Sequence, residues 1–149
     1  MEKNIWLDCD GTWIDFYGVP NWLEYLQKED VFPYKEAKPL VNLSQLAKIL
    51  HKLQKNGYSI GIISWTSKNS SVEYHEAVKA AKIKWLKKHL PSVIFDAIYI
   101  IPYGTPKSTC GKGILFDDEA RNRKEWEKVS GKAFSEKQLI TTLKSFCNL

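Results

Sequence analysis

The sequence is short of long apolar runs and of cysteine. No run of 18 apolar residues occurs among its 149 residues, so no transmembrane helix is expected. Three cysteines are present, Cys9, Cys110 and Cys147, and no two of them form a Cys-x-x-Cys pair. A small, odd number of distant cysteines argues against a zinc site and favours a reducing cytoplasm. The first residues, 1–4, lead directly into an apolar run, so no signal peptide is expected.

The sequence also lacks internal repeats and low-complexity tracts, and its composition suits a compact domain. Hydrophobic residues make up 44% of the chain, which is enough for one domain with a real core. Lysine and arginine total 22 against 17 aspartate and glutamate residues, giving a net charge of +5 at pH 7. This moderate positive charge favours an anionic partner or substrate but does not require one.

Two acidic residues follow an apolar run near the start of the chain. The run 5–7 is rich in strand formers and predicts a buried strand. Asp8 and Asp10 come next, one residue apart, followed by Gly11. One interpretation is an Asx-type turn in which Gly11 adopts a positive φ. The other is a divalent-metal site at the carboxyl edge of a parallel sheet, because two carboxylates beside a core strand are costly to bury without a cation or donors.

Apolar runs alternate with helical patterns along the rest of the chain. Strands are predicted at 5–7, 58–64, 95–101, 114–119 and 132–134, the last as a short edge strand. Long helices are predicted at about 43–56 and 71–89, and a last helix begins near 139. This alternation predicts a three-layer α/β/α sandwich with a parallel central sheet and right-handed crossovers.

The helix predicted at 71–89 combines an apolar stripe with many lysines. Its buried stripe is predicted to contain Val72, Ala77, Val78, Ala81, Trp85 and Leu86. Its basic face is predicted to contain Lys79, Lys82, Lys84, Lys87 and Lys88. This face is either a solvated surface or a track for a polyanion such as a nucleic acid backbone.

Residues 13–42, called the aromatic insert below, form the least regular segment. Pro33 and Pro39 break it, and Asn21 can cap a short helix through Leu26. The segment is interpreted either as a loop packed on the edge of the sheet or as a lid, and the two can both hold. Its rings could also stack on a nucleobase. They belong to Trp13, Phe16, Tyr17, Trp22, Tyr25, Phe32 and Tyr34.

The Asp-x-Asp-Gly-Thr sequence at 8–12, after an apolar strand, resembles the first motif of the haloacid dehalogenase superfamily of phosphohydrolases. The resemblance implies that Asp8 attacks phosphorus and becomes an aspartyl phosphate. It also implies that Asp10 is the general acid and base. Both roles suit the chemistry, because a carboxylate is a known nucleophile and a second carboxyl group can protonate the leaving oxygen.

Two further motifs of that superfamily bind phosphate, and both have counterparts here. The second motif is a Ser or Thr at the end of an apolar strand, which corresponds to Ser64, with Thr66 as the competing candidate. Backbone N–H groups of Trp65 and Thr66 could add donors, as in other phosphate-binding loops. The third motif is a loop lysine, which corresponds to Lys107, and Lys112 is a weaker rival for this place.

The fourth motif is an acidic pair that closes the next strand, here Asp117 and Asp118. The resemblance implies a Mg²⁺ ion held by Asp8, Asp117 and the carbonyl oxygen of Asp10. Asp118 is expected outside the first ring of ligands, touching metal-bound water or Lys107. Mg²⁺ prefers oxygen ligands in octahedral geometry, which agrees with this set.

The resemblance also bears on the fold, a single domain at 1–149 with the sheet order 5-4-1-2-3, numbering the strands along the chain. The aromatic insert resembles the small cap that the superfamily places after its first strand. The spacing from Lys107 to the acidic pair is similar to that of 5′(3′)-deoxyribonucleotidases. The insert, with its Pro33-Tyr34 pair, is more similar to the 3′-phosphatase domain of bacteriophage polynucleotide kinases. The larger helical cap of the deoxyribonucleotidases is missing, which puts their base-specific pocket in doubt.

The expected function is therefore Mg²⁺-dependent hydrolysis of a phosphomonoester through an aspartyl phosphate. The substrate is expected to be a nucleotide or a nucleic acid end, and no membrane partner is expected. One alternative is a sugar or metabolite phosphatase. The other is a non-catalytic module that binds phosphate or metal on the same fold. The sequence predicts no oligomeric state.

Overall fold

The structure is a computed structural model that describes residues 3–148, in which strands and helices alternate. The elements are β1 (Asn4–Leu7), β2 (Ile14–Asp15), α1 (Trp22–Gln27), α2 (Phe32–Glu36), β3 (Lys38–Pro39), α3 (Leu43–Lys55), β4 (Ser59–Trp65), α4 (Val72–His89), β5 (Ala97–Ile101), β6 (Gly113–Phe116), α5 (Ala120–Val129), β7 (Gly131–Phe134) and α6 (Leu139–Cys147). Short 3-10 turns cover Lys107–Thr109 and Glu136–Gln138. No helix within residues 3–148 is long and apolar enough to cross a membrane.

The central sheet has five parallel strands in the order β5-β4-β1-β6-β7. Ile5 of β1 lies between Ile60 of β4 and Ile114 of β6. Counted along the chain and read from the other edge, this is the order 5-4-1-2-3. The predicted three-layer α/β fold with this parallel order is therefore confirmed.

Helices cover both faces of the sheet, which explains why its strands are apolar on both sides. Alternate residues of a strand point to opposite faces, so Ile5 and Leu7 join one core cluster and Trp6 joins another. The first cluster is closed by side chains of α3, α4 and α6, and the second by Trp126 of α5.

Polar side chains cap the N-termini of the two long helices α3 and α4. Asn42 accepts a hydrogen bond from the backbone N–H of Gln45 at 2.9 Å, and Ser71 accepts one from Tyr74 at 3.1 Å. Two apolar residues of the predicted buried stripe of α4 are exposed instead. Val72 is 76% exposed in the first turn of α4, and Ala77 also faces outward.

The aromatic insert forms a two-stranded antiparallel ribbon, β2 with β3, and two short helices. Trp13, Phe16 and Tyr34 are buried, so much of the segment packs as an aromatic loop against the core. It is tied to α4 by Trp85, whose indole N–H donates to the carbonyl of Ala37 at 2.8 Å.

Glycine is required where β6 lies between its two neighbouring strands. Gly113 has φ +119, and a Cβ there would lie 2.3 Å from the carbonyl oxygen of Asn4. We expect Gly113→Ala to lower the free energy of unfolding by roughly 2–4 kcal/mol, because backbone atoms must move as well as φ. Gly104→Ala is the matched control, since Gly104 has φ +87 but no neighbouring atom within 4 Å. It should cost only about 1 kcal/mol. Urea unfolding checks both values, and equal losses would contradict the crowding argument.

Candidate active site

The carboxyl ends of β1, β4 and β6 meet at one edge of the sheet, where open α/β folds bind ligands. A cleft of about 480 Å³ opens there. Every residue predicted for the site lines it, namely Asp8, Asp10, Ser64, Trp65, Lys107, Asp117 and Asp118. Residues that lie up to 110 positions apart in sequence are thus brought together because each follows or adjoins a strand end.

Lys107 is buried at the floor of the cleft and joins two of the aspartates. Its ammonium lies 2.8 Å from Oδ1 of Asp8 and 2.7 Å from Oδ2 of Asp117, and 5.5 Å from the centre of the Trp65 indole ring. Burial acts to lower the pKa of Lys107, but the two carboxylates outweigh this and raise it. The ammonium is therefore charged at neutral pH.

The carboxylate of Asp8 is fixed from several sides. The hydroxyl of Thr12 donates to its Oδ2 at 2.8 Å, and the indole N–H of Trp13 donates to its backbone carbonyl at 2.6 Å. Burial acts to raise the pKa of Asp8, but Lys107 and the hydrogen bonds bring it below the ordinary value of 3.8. Asp8 is thus an ionised, oriented carboxylate. No role was predicted for Thr12 from the sequence, although it completes the first motif.

Three carboxyl groups form a cluster that could hold a cation. One oxygen from each of Asp8, Asp117 and Asp118 lies within 4.8 Å of the other two. The amide of Asn122 donates to Oδ2 of Asp117 at 3.2 Å, a contact that sequence reasoning missed. Burial and the neighbouring Asp8 raise the pKa of Asp117 to about 6 and that of Asp118 to about 8. An all-oxygen set of this kind suits a hard divalent cation such as Mg²⁺.

Asp118 makes a contact that the sequence did not predict. Its Oδ1 lies 3.2 Å from the Thr12 hydroxyl, and its backbone N–H donates to that hydroxyl at 3.1 Å. Thr12 therefore links Asp8 at the end of β1 to Asp118 after β6. The expected contact of Asp118 with metal-bound water or Lys107 stays a prediction.

Asp10 and Ser64 are joined by a lysine that the sequence analysis placed wrongly. Lys82 of α4 was expected on an exposed basic face, but it is only 5% exposed. Its ammonium lies 2.6 Å from Oδ2 of Asp10 and 2.7 Å from Oγ of Ser64. The helical spacing carried a signal for this position, because residue 82 lies four residues from both Val78 and Leu86 of the buried stripe.

Thr66, the rival of Ser64, is engaged elsewhere. Its hydroxyl lies 2.7 Å from Nδ1 of His75, and its backbone N–H donates to the carbonyl of Ile101 at 2.9 Å. The suggestion that the Thr66 N–H serves as a phosphate donor is therefore wrong, because the sheet uses it. Lys112, the rival of Lys107, is exposed and does not line the cleft.

Aromatic side chains form the rim above the charged floor. Tyr17 and Trp22 meet edge to face with ring centres 5.1 Å apart, and the ring centres of Trp65 and Tyr103 lie 4.9 Å apart. Tyr17 is 49% exposed and Tyr103 is 42% exposed. Arg121 adds a guanidinium 5.6 Å from the centre of the Trp65 ring. The mouth of the cleft thus presents flat apolar surfaces over a charged base.

Comparison of the sequence with models of known protein families finds no match. A search of curated protein sequences also finds no significant match.

The raised pKa of Asp118 leads to a prediction about stability. A carboxyl group whose folded pKa is about 8 stays protonated in the fold while the unfolded chain ionises, so stability falls as pH rises from about 4 to 8. In metal-free buffer at pH 8, Asp118→Asn should raise the free energy of unfolding by roughly 1 kcal/mol. This value is a small part of the free energy that corresponds to the full pKa shift of Asp118, because the carboxyl group is partly solvated. Thermal unfolding at pH 5 and pH 8 measures the difference.

Glu119→Gln is the matched control for this prediction, since it removes the same charge from an exposed neighbouring side chain. It should leave the pH dependence of stability unchanged. If Asp118→Asn raised the free energy of unfolding equally at pH 5 and pH 8, the raised pKa of Asp118 would not be the cause.

Proposed function

We propose that this chain is a Mg²⁺-dependent phosphatase that hydrolyses phosphomonoesters with Asp8 as the nucleophile. The observation that supports it most is the state of Asp8. This carboxylate has a lowered pKa, is oriented by Thr12 and Lys107, and faces an open cleft beside two further carboxyl groups. A carboxylate held in this way can attack a phosphoryl group.

The residues present fit a divalent cation. Asp8, Asp117 and Asp118 would hold it through carboxylate oxygens, and the carbonyl oxygen of Asp10 is the further ligand that the resemblance implies. The carboxylate of Asp10 already binds Lys82, so it is its carbonyl that is proposed. When bound, Mg²⁺ would neutralise charge on the phosphoryl oxygens and on the aspartates.

The proposed reaction has two steps. First, an oxygen of Asp8 forms a bond to phosphorus while the bond from phosphorus to the leaving oxygen breaks. The leaving oxygen keeps the electron pair of the broken bond and takes a proton from Asp10. Second, water gives a proton to Asp10 and attacks phosphorus, and the bonding pair returns to the Asp8 carboxylate. The net change is ester plus water to alcohol plus phosphate. Burial raises the pKa of Asp10, which favours the protonated form that the first step needs.

Two side chains are proposed to hold the phosphoryl oxygens. Ser64 lies at the end of β4 and lines the cleft, and its hydroxyl oxygen accepts from Lys82, so its own proton can point to another acceptor. Lys107 supplies positive charge from the floor. Ser64 is preferred over Thr66 because the Thr66 hydroxyl is already paired with His75. Such positioning and charge stabilisation provide most of the rate in phosphoryl transfer.

The rim of the cleft favours a nucleotide or a nucleic acid end as substrate. Tyr17 and Tyr103 line the cleft and are partly exposed, and base stacking on such rings is worth about 1–3 kcal/mol per base. A sugar phosphate would gain less from apolar walls. The basic face of α4 contributes less than expected, because Lys82 is buried. Of that face, Lys84, Lys87 and Lys88 remain exposed.

Phosphate release from p-nitrophenyl phosphate, with and without Mg²⁺, tests the activity. We expect release that depends on Mg²⁺ and stops on chelation. A panel of nucleoside monophosphates, 3′-phosphorylated oligonucleotides and sugar phosphates then tests the substrate class. Full activity in chelator, or phosphate binding without any release, would contradict the proposal, and the second result would favour a non-catalytic module.

Salt dependence separates a nucleic acid end from a mononucleotide. If the substrate is a terminal phosphate on an oligonucleotide, kcat/KM should fall steeply with salt, because several phosphate contacts release counterions. A mononucleotide should show a shallower slope. Equal slopes, together with sugar phosphates hydrolysed just as fast, would contradict the proposed substrate class.

A further inference from the structure

Lys82 is a buried ammonium that the proposed reaction does not use directly. Lys82 is not one of the residues that line the cleft, but it contacts Asp10 and Ser64, which do line it. Its side chain enters from the middle of α4, whereas the other site residues come from strand ends and the loops that follow them. A buried lysine is costly unless it is paired, so its position calls for an explanation.

The Lys82 ammonium makes two hydrogen bonds and one cation–π contact. Oδ2 of Asp10 lies at 2.6 Å, Oγ of Ser64 at 2.7 Å, and the centre of the Tyr34 ring at 5.2 Å. A lysine ammonium can donate three hydrogen bonds and cannot accept any. The contacts therefore fix Lys82 between the end of β1, the end of β4 and the aromatic insert.

These contacts orient two reactive groups, the Asp10 carboxyl group and the Ser64 hydroxyl group. Because Lys82 binds Oδ2 of Asp10, the second oxygen, Oδ1, is the one available to carry a proton toward the cleft. Because Oγ of Ser64 accepts from Lys82, the Ser64 hydroxyl proton is directed away from the ammonium. Without Lys82, the Asp10 carboxyl group and the Ser64 hydroxyl group could each rotate.

We infer that Lys82 is a positioning residue for proton transfer, which holds the Asp10 carboxyl group so that one oxygen faces the leaving group. This inference rests on the proposed function, since it concerns how Asp10 works in that reaction. It predicts that Lys82 matters most when the leaving oxygen needs a proton. Alkoxides need one to depart, whereas nitrophenolate departs without one.

The test compares kcat/KM for p-nitrophenyl phosphate and for an alkyl phosphate, in wild type and in Lys82→Met. This quantity covers steps up to the first phosphoryl transfer, so later hydrolysis of the aspartyl phosphate does not affect it. We expect a loss of about 100-fold with the alkyl ester, within the usual range for general acid catalysis, and under about 5-fold with the nitrophenyl ester. A purely structural role would lower both by the same factor, and that result would overturn the inference.

A second comparison covers the case in which Lys82→Met folds poorly. The double variant Asp10→Asn/Lys82→Met removes both members of the ion pair, so no buried carboxylate is left without its lysine. This double variant is compared with Asp10→Asn alone. Since Lys82 acts on proton transfer through Asp10, the added substitution should lower kcat/KM for the alkyl ester by less than about 5-fold, the same limit as for the nitrophenyl ester. A further 100-fold loss would overturn the inference.

Lys55→Met is the control, because Lys55 is an exposed lysine of α3 that has no part in the proposed site. It should leave both values of kcat/KM unchanged. The two proposals fail in different ways. A wild-type chain that hydrolyses neither ester contradicts the proposed function, whereas an active wild type with equal losses in Lys82→Met contradicts only the role of Lys82.

Discussion

Replacement of Asp8 by asparagine should abolish turnover while leaving the fold intact. An amide is a poor nucleophile, so we expect Asp8→Asn to lower kcat for p-nitrophenyl phosphate by at least about 10⁴-fold. The asparagine side-chain oxygen can still accept from Lys107 or Thr12, which now bond to Asp8. Lys107 also keeps its contact with Asp117 at 2.7 Å. The fold should therefore survive.

The loss of turnover is measured with purified protein at saturating Mg²⁺, and circular dichroism with thermal unfolding verifies the fold. Glu127→Gln, which removes an exposed negative charge on α5, is the control and should retain wild-type activity. Retained activity in Asp8→Asn would rule out Asp8 as the nucleophile.

Replacement of Lys107 by methionine should cause the largest loss of stability. The substitution leaves Asp8 and Asp117 buried beside each other without their shared cation. Breaking a buried ion pair from one side typically costs about 3–5 kcal/mol, because the remaining charge is uncompensated. We expect a loss of this size for Lys107→Met in metal-free buffer at pH 8, measured by urea unfolding.

The loss should be smaller at pH 5 than at pH 8. Without Lys107 the folded-state pKa values of Asp8 and Asp117 rise, so both groups can escape the penalty at low pH by binding protons. Lys112→Met is the matched control, since Lys112 is exposed in the same loop region. It should change stability by less than about 0.5 kcal/mol. A loss below about 1 kcal/mol for Lys107→Met at pH 8 would contradict the assigned role of the ion pairs.

The sheet could be predicted because its strands are buried on both faces and therefore appear as continuous apolar runs. The run around Ile60 and the run around Ile114 were both found, and the strand bounds moved by only a few residues. Asp8 and Asp117 followed from the same signal, because parallel strands end at one edge. Their polarity at the end of an apolar run is unusual enough to be noticed.

The helices were harder to orient from sequence, because spacing and polarity can disagree. Lys82 lies on the buried stripe by spacing, but a lysine is so commonly exposed that polarity decided the prediction wrongly. Val72 was expected in the buried stripe because it is apolar, but it lies in the first turn of α4 and is exposed. Thr12 contacts Asp118, which lies 106 residues away, and no local pattern reveals such a contact. Asn122 contacts Asp117 only five residues earlier, across the turn from β6 into α5.

The count of charges around the floor of the cleft has a consequence for the order in which ligands bind. Four carboxyl groups, on Asp8, Asp10, Asp117 and Asp118, face two ammonium groups, on Lys82 and Lys107. At a pH above the raised pKa of Asp118, which is about 8, and with Asp10 ionised as well, the floor carries two uncompensated negative charges, and a phosphate dianion would meet repulsion. A divalent cation has the charge that cancels this excess. Under the proposed function, binding at such a pH is therefore ordered, with the cation preceding the substrate, and free phosphate competes only after the cation has bound.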